Sequence, residues 1–381
     1  MTMMDLAQAR CLKEQLLGFA RELADRYGAV TAYDVVVPGG AGLDGGARDV
    51  AASDSAAVRR ASLDAVRAPT LSLGLTPAPG DAAPVDAAPG VRASGADGAY
   101  AVAVRYRLGV PAARAVVRRI AAEAGADVDV RRTGRIRTLG PRPPVASARA
   151  LGETGRARPL RPGVSIANAA VTAGTLGGFV VDAADGAPVR YALSNWHVLA
   201  GSPQAAAGDV VVQPGPADGG AAPRDRVGAL ARWAPLAPGE HHRVDAALAL
   251  LDDGVEVDAT YPQVGRVSVT APARGGERVA KVGRTTSLTH GRVSAIELDD
   301  VLVGYGDELG VLGFDGQIEV ESTGGGPFSR GGDSGSLVFR EDGAALGLLF
   351  AGSETGGPDG SGLTYLNPID AVLDALGVTL M

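Results

Sequence analysis

Cysteine is all but missing from this 381-residue chain: Cys11 is the only one. No intramolecular disulfide can form, so a reducing compartment is expected rather than an oxidising exterior. No run of eighteen or more apolar residues occurs, so no helical membrane span is expected. Where a signal peptide would need an apolar block, the chain has Asp5, Arg10, Lys13 and Glu14, and a cytoplasmic location is expected. Aromatic residues make up only 4%, which leaves the core to Val, Leu, Ile and Ala. Positive charge is not in excess. The net charge of −7 argues against general nucleic-acid binding. A phosphate-loop pattern, Gly-x-x-x-x-Gly-Lys-[Ser/Thr], is absent, so Lys281–Thr286 reads as a strand and turn, and no cofactor is expected. Histidine occurs four times, at His197, His241, His242 and His290. The adjacent His241 and His242 lie near Asp245, but neighbours on a strand face opposite ways, so no metal site is expected there.

What is present falls into four parts. In residues 1–28, Leu6, Leu12, Leu16, Phe19, Leu23 and Tyr27 recur mostly at three- and four-residue intervals, as on one face of an amphipathic helix stopped by Gly28. Such a helix either docks on its own chain or joins copies into a homo-oligomer. Residues 29–132 read as a small α/β domain: strands at Thr70–Leu75 and Tyr100–Tyr106, a helix from Pro111 to Gly125, and a strand at Val128–Val130. A low-complexity loop of mostly Ala, Pro, Gly and Asp interrupts it at 77–97. Residues 133–162 read as a basic linker. Across 110–162, twelve arginines face four acids without interleaved aromatics, which suits a solvated surface or an acidic partner better than nucleic acid. From 163 to 381 short apolar runs recur between Gly, Pro and Asp turns, with helical periodicity only at Pro368–Leu376, the mark of an all-β barrel or sandwich.

One stretch of that last part points to chemistry, Gly331-Gly332-Asp333-Ser334-Gly335-Ser336, followed by the apolar Leu337-Val338-Phe339. A serine hydroxyl needs a base to take its proton and donors for the oxyanion that its attack creates. Flanking glycines let the backbone turn tightly around it. A glycine turn with one serine is by itself only a turn, so the partners decide. His197 follows the apolar Tyr191–Leu193, at a strand end. Asp245 opens the apolar strand Ala246–Leu250, and a carboxylate there is half buried and needs a partner such as an imidazole N–H. The order His197, Asp245, Ser334 is that of two-barrel enzymes, whereas the α/β-hydrolase layout needs a histidine after the serine, and none follows Ser334.

With these residues in hand, about residues 157–381 resemble a trypsin-like serine protease of the chymotrypsin fold, and within it intracellular bacterial homologues of the plant Narrow Leaf proteins. The matching stretches are Ala173–Gly177, Leu193–Val198, Val244–Ala247, Lys281–Thr286 and Gly331–Ser336; Trp196 stands where bacterial members more usually have Asn. The resemblance implies a mainly β, two-barrel protease domain behind a small α/β N-terminal domain. It implies Ser334 as nucleophile, His197 as general base, Asp245 as its orienting acid, and the Gly332 and Ser334 amides as oxyanion hole. It also implies that Asp333 pins the loop, with an internal arginine or a backbone donor for partner. A pocket bounded by Phe328, Phe350 and Gly352 would be shallow and apolar. The expected activity is that of a serine endopeptidase acting on a protein or peptide. Two other readings stay open: a protease-fold binding or scaffold protein with occluded or vestigial catalysis, and a protease that processes itself within 77–97 or 133–162.

Overall fold

A computed structural model describes residues 4–26, 71–78, 98–107, 111–125, 128–138, 145–182, 189–353, 355–357 and 360–381. The helix stop at Gly28, most of the 77–97 loop and residues 139–144 lie outside them. Helix α1 (Leu6–Arg26) begins with a reciprocal cap: the Gln8 N–H donates to Asp5 Oδ1 (2.8 Å) and the Asp5 N–H to Gln8 Oε1 (3.0 Å). Its apolar stripe, with Ala9, Leu16, Leu17 and Ala20 buried, packs on its own chain, against strands β1 (Leu71–Pro77) and β2 (Tyr100–Arg107).

Strand β2 pairs antiparallel with β1 and parallel with β3 (Val128–Thr133). A parallel pair needs a crossover, and α2 (Pro111–Ala124), ended by Gly125 at φ +68°, supplies it. Helix α1 buries Leu16, Leu17 and Ala20, and α2 Val116, Val117 and Ile120, in one cluster with Leu71, Leu73, Val102 and Val104. The free edge of β1 pairs with Ser287–Asp299, Leu75 opposite Ile296, so this layer continues the sheet of the second half of the chain. A buried ion pair crosses the seam. Arg105 Nε donates to both Glu319 oxygens (2.9 Å each), and Ser294 Oγ donates to the same carboxylate (2.8 Å). Such a pair costs desolvation and adds little net stability, but it fixes how the layers sit.

Six strands close a ring by antiparallel pairing: Arg278–Gly283, Ser287–Asp299, Gln317–Ser322, Leu363–Pro368, Ala344–Ser353, Leu337–Arg340, and back to the first. A second group forms a half-barrel in the order Gly178–Asp182, Arg190–Ser194, Ala247–Leu251, Arg226–Trp233, Val210–Val212, Ser165–Asn168. The core between and within them is mostly Val, Leu and Ala, as the scarcity of aromatics requires. The molecule is thus mainly β with the expected two-barrel, chymotrypsin-like arrangement. The terminal helix runs Ile369–Leu376 and turns at Gly377 (φ +65°) into a strand, Val378–Leu380, that pairs with Gly178–Asp182.

Within the stretch read as a basic linker, Ile136–Thr138 is a strand, β4. It lies antiparallel to Ala351–Ser353 on one side and parallel to Gly304 on the other. Several of the arginines in the basic region find acids of their own chain: Arg131 meets Asp129 (2.8 Å) and Glu321 (2.7 Å), and Arg156 meets Asp225 (3.5 Å).

Candidate active site

His197 lies on a single turn of helix, Trp196–Leu199, directly after the strand Arg190–Ser194. Trp196 is buried in the core and anchors that turn. Asp245 enters from the neighbouring strand, because Ala247 pairs with Ser194. Its backbone N–H donates to Asn367 Oδ1 (2.9 Å), and its carbonyl accepts from Asn195 Nδ2 (2.7 Å). So held, Asp245 Oδ2 meets His197 Nδ1 at 2.5 Å, and Oδ1 accepts from the His197 N–H (3.3 Å). Both side chains are buried. The pairing puts the imidazole proton on Nδ1 and leaves Nε2 as the acceptor; that Nε2 is buried and bonded to nothing among the described residues.

Tyr305 completes this corner, and the sequence reading did not include it. Its hydroxyl donates to Asp245 Oδ2 (2.6 Å), and its ring stands edge-on to His197 with centroids 6.1 Å apart. Burial, with the Asp245 charge adding to it, pushes the phenol well above its ordinary range, so it stays a donor. The available signal was a tyrosine closing the apolar Val301–Gly304, since a buried hydroxyl needs a partner.

Ser334 sits in the turn between Arg330 and Leu337. Gly335, at φ +93°, lies so close to the first barrel that a Cβ there would be 2.1 Å from Ser194 Oγ. The Thr175 N–H donates to the Ser334 carbonyl (2.7 Å), and Ser194 Oγ to the Thr175 carbonyl (2.7 Å). The serine loop is thereby clasped to the stretch that carries His197. Ser334 Oγ donates to the Phe350 carbonyl (3.5 Å) rather than to His197. Gly332 has φ +100°, and neither its amide nor that of Ser334 is bonded to an acceptor among the described residues.

Asp333 is wholly buried, and no arginine side chain among the described residues serves it. Oδ1 accepts from the Thr285 and Thr286 amides (2.8 and 3.1 Å), and Oδ2 from Thr286 Oγ1 (2.8 Å) and the Arg330 amide (2.9 Å). The cation is Lys281, whose Nζ lies 3.6 Å from Oδ2 with both side chains fully enclosed. Burial pulls the Lys281 ammonium below its ordinary range, and Asp333 acts in the opposite sense. A lone lysine inside Val279–Val282 was the signal, since a buried charge needs a counter-charge.

The three residues expected to bound a pocket, Phe328, Phe350 and Gly352, are all buried. Phe328 packs in a core cluster with Val279, Val293 and Leu349, and its carbonyl accepts from Thr289 Oγ1 (2.8 Å). Phe350 belongs to a different cluster, its ring 4.9 Å from that of Phe314. Gly352 pairs with Arg137 of β4. Both phenylalanine side chains are buried, Phe350 on the strand Ala344–Ser353 and Phe328 in the loop that follows Ser322.

His241 and His242 do face opposite ways. His242 is buried, with Nε2 2.9 Å from the Ala237 carbonyl, while His241 Nδ1 meets Asp315 Oδ2 at 2.8 Å. Among the described residues, His241, Asp300 and Asp315 bring ligand-type atoms within 4.8 Å of one another. The group is already an ion network: Arg21 of α1 reaches Asp300 (3.4 Å), whose carboxyl burial pushes above the usual range. The hydrogen bond to Asp315 raises the His241 imidazole above its ordinary value against a smaller effect of burial. The sign follows. Stability from this pair is full below the unfolded imidazole value of about 6.5 and is lost as pH rises through the raised folded value. The urea-midpoint advantage of the wild type over His241→Gln should therefore be largest near about pH 6 and shrink toward about pH 8.5. An advantage constant across that range would contradict the assignment.

The fold defines a class, that of two-barrel, chymotrypsin-like proteins. The solved structures to which the chain is similar are serine proteases. One is Protease A of Thermobifida fusca (19% identity, 58% of this chain and 99% of that one, TM-score 0.40). Another is a glutamic acid specific serine protease (23%, 58% and 100%, TM-score 0.42), and a third is Cellulomonas bogoriensis chymotrypsin (18%, 58% and 99%, TM-score 0.40). No family model and no curated protein sequence matches the chain.

Proposed function

We propose that this protein is a serine endopeptidase that hydrolyses peptide bonds through an acyl-enzyme, with Ser334, His197 and Asp245 as its catalytic triad. The observation that carries the reading is the buried His197–Asp245 pair, which leaves His197 Nε2 buried and unbonded among the described residues. Rotation of Ser334 about its Cα–Cβ bond would exchange the Phe350 carbonyl for that nitrogen. Attack then forms the Oγ–carbon bond while the hydroxyl proton passes to Nε2. The carbonyl oxygen, now an anion, would take the Gly332 and Ser334 amides as its donors. His197 returns the proton to the leaving amine, and water releases the acyl group by the same steps. Asp245 stays ionised throughout and stabilises the imidazolium. The single cysteine supports action in a reducing compartment.

A small fluorophosphonate tests this reading, because it reports a serine with an activated hydroxyl whatever the natural substrate. Labelling of the native protein is expected, with none in Ser334→Ala. Failure of the wild type to label under conditions where its fold is intact would overturn the reading.

A further inference from the structure

A peptide whose carbonyl is to reach Ser334 must run along a sheet edge beside it. Ser334 Oγ touches the Phe350 carbonyl, and the strand continues from there through Ala351, Gly352 and Ser353. That edge is taken. Strand β4 lies antiparallel on it, Thr138 opposite Ala351, Arg137 opposite Gly352 and Ile136 opposite Ser353. The contact runs on outward, with the Gly134 N–H donating to the Thr355 carbonyl (3.0 Å) and Thr133 bridging Gly356. Ile136 and Thr138 are buried, while Arg137 between them is partly exposed, the period-two pattern of a strand with one face inward. Beyond the nucleophile the same chain is fastened again: the Val145 N–H donates to the carbonyl of Gly331 (3.2 Å), and the Val145 carbonyl accepts from Arg284 Nη1. The chain is thus tied down at Ala351 on one flank of Ser334 and at Gly331 on the other.

We infer that Ile136–Thr138 is a substrate mimic, held in cis on the peptide-binding edge of the site, so that the full chain is latent toward peptides until β4 is displaced. The inference rests on the protease reading above and names its regulation and its substrate class. The freed edge would take an extended peptide by strand addition, with β-branched or apolar residues at the two buried positions and a basic residue between them. Three paired residues form a short ladder, suited to exchange with a competing strand. The strand is also sandwiched between two neighbours, which gives a competitor something to overcome.

Two probes on the full-length protein separate this inference from the one beneath it. A small fluorophosphonate needs only an activated Ser334, whereas a peptidyl phosphonate, Ile-Arg-Thr followed by an apolar phosphonate residue, needs the edge as well. Arg137→Pro removes a ladder N–H and weakens the pairing of β4. Both proteins should label with the small probe, and the variant should react with the peptidyl probe at least about tenfold faster than the wild type, as for a binding-competent state raised from a minor fraction. Equal rates with the peptidyl probe, while the small probe still labels, would overturn the mimic and leave the enzyme. No labelling by either probe in either protein would sink both. Because a proline in a strand can unfold its host, a second variant locks the strand: Ile136→Cys with Ser353→Cys, in a Cys11→Ser background, joins residues opposite each other in the ladder. Its oxidised form should react with the peptidyl probe at least about tenfold more slowly than its reduced form. Matching rates for the two forms would again overturn the mimic.

Discussion

Replacing Asp245 by Asn is expected to lower the reactivity of Ser334 by about 10⁴-fold while leaving the fold intact. Everything around the carboxylate is a donor: His197 Nδ1–H and the Tyr305 hydroxyl to Oδ2, and the His197 backbone N–H to Oδ1. A carboxylate accepts from all three. An amide cannot, because its NH₂ would face at least one of them. The cheapest escape is for the imidazole to change tautomer, so that Nδ1 accepts and Nε2 carries the hydrogen. An Nε2–H cannot take the Ser334 proton. The rate of labelling by a small fluorophosphonate measures the loss directly, with near-ultraviolet circular dichroism as the check on folding. A decrease of less than about tenfold would show that Asp245 does not set the tautomer.

The second large effect is on stability. Lys281→Met should destabilise the protein by about 3–5 kcal/mol, because it leaves the Asp333 carboxylate enclosed with hydrogen bonds but no counter-charge. Removing both charges, in Lys281→Met with Asp333→Asn, should recover only part of that, since the carboxamide NH₂ would face at least one of the backbone N–H groups that now donate to Asp333. Urea denaturation of the two variants reads the difference. A single variant as stable as the wild type would mean that the four hydrogen bonds to Asp333 suffice. The same lysine bears on catalysis, since Asp333 lies between the two amides assigned to the oxyanion. A shift of either donor is worth about 10²–10³ in rate.

Much of the second half could be read from its pattern. Runs such as Val210–Val212, Arg278–Val282 and Leu337–Phe339 are strands because apolar, β-branched residues sit between turn formers, and the structure has strands there. The first residue of the terminal helix is Ile369, one beyond the predicted Pro368. Other features were hidden for physical reasons. Ile136-Arg137-Thr138 offers a single apolar residue among arginines, and its extended form comes from two neighbouring strands distant in sequence. Tyr305 is 60 residues from Asp245, and only the closure of the second barrel brings the phenol to the carboxylate. The pocket expectation rested on counting back from Ser334 to Phe328. Counting fixes position along a chain but not which way a side chain turns, and this one turns into the core.

The ion pair Arg105–Glu319 carries a consequence for how the molecule comes apart. Prising the N-terminal layer from the barrel would leave the buried Glu319 carboxylate without its guanidinium, which would keep only Asp129 of its own layer, and would expose the ladder between β1 and Ser287–Asp299 at the same moment. Nothing along that seam yields in stages. The layer and the second barrel therefore behave as one cooperative unit, in which the N-terminal strands are as much a part of the sheet as the strand that follows Ser334.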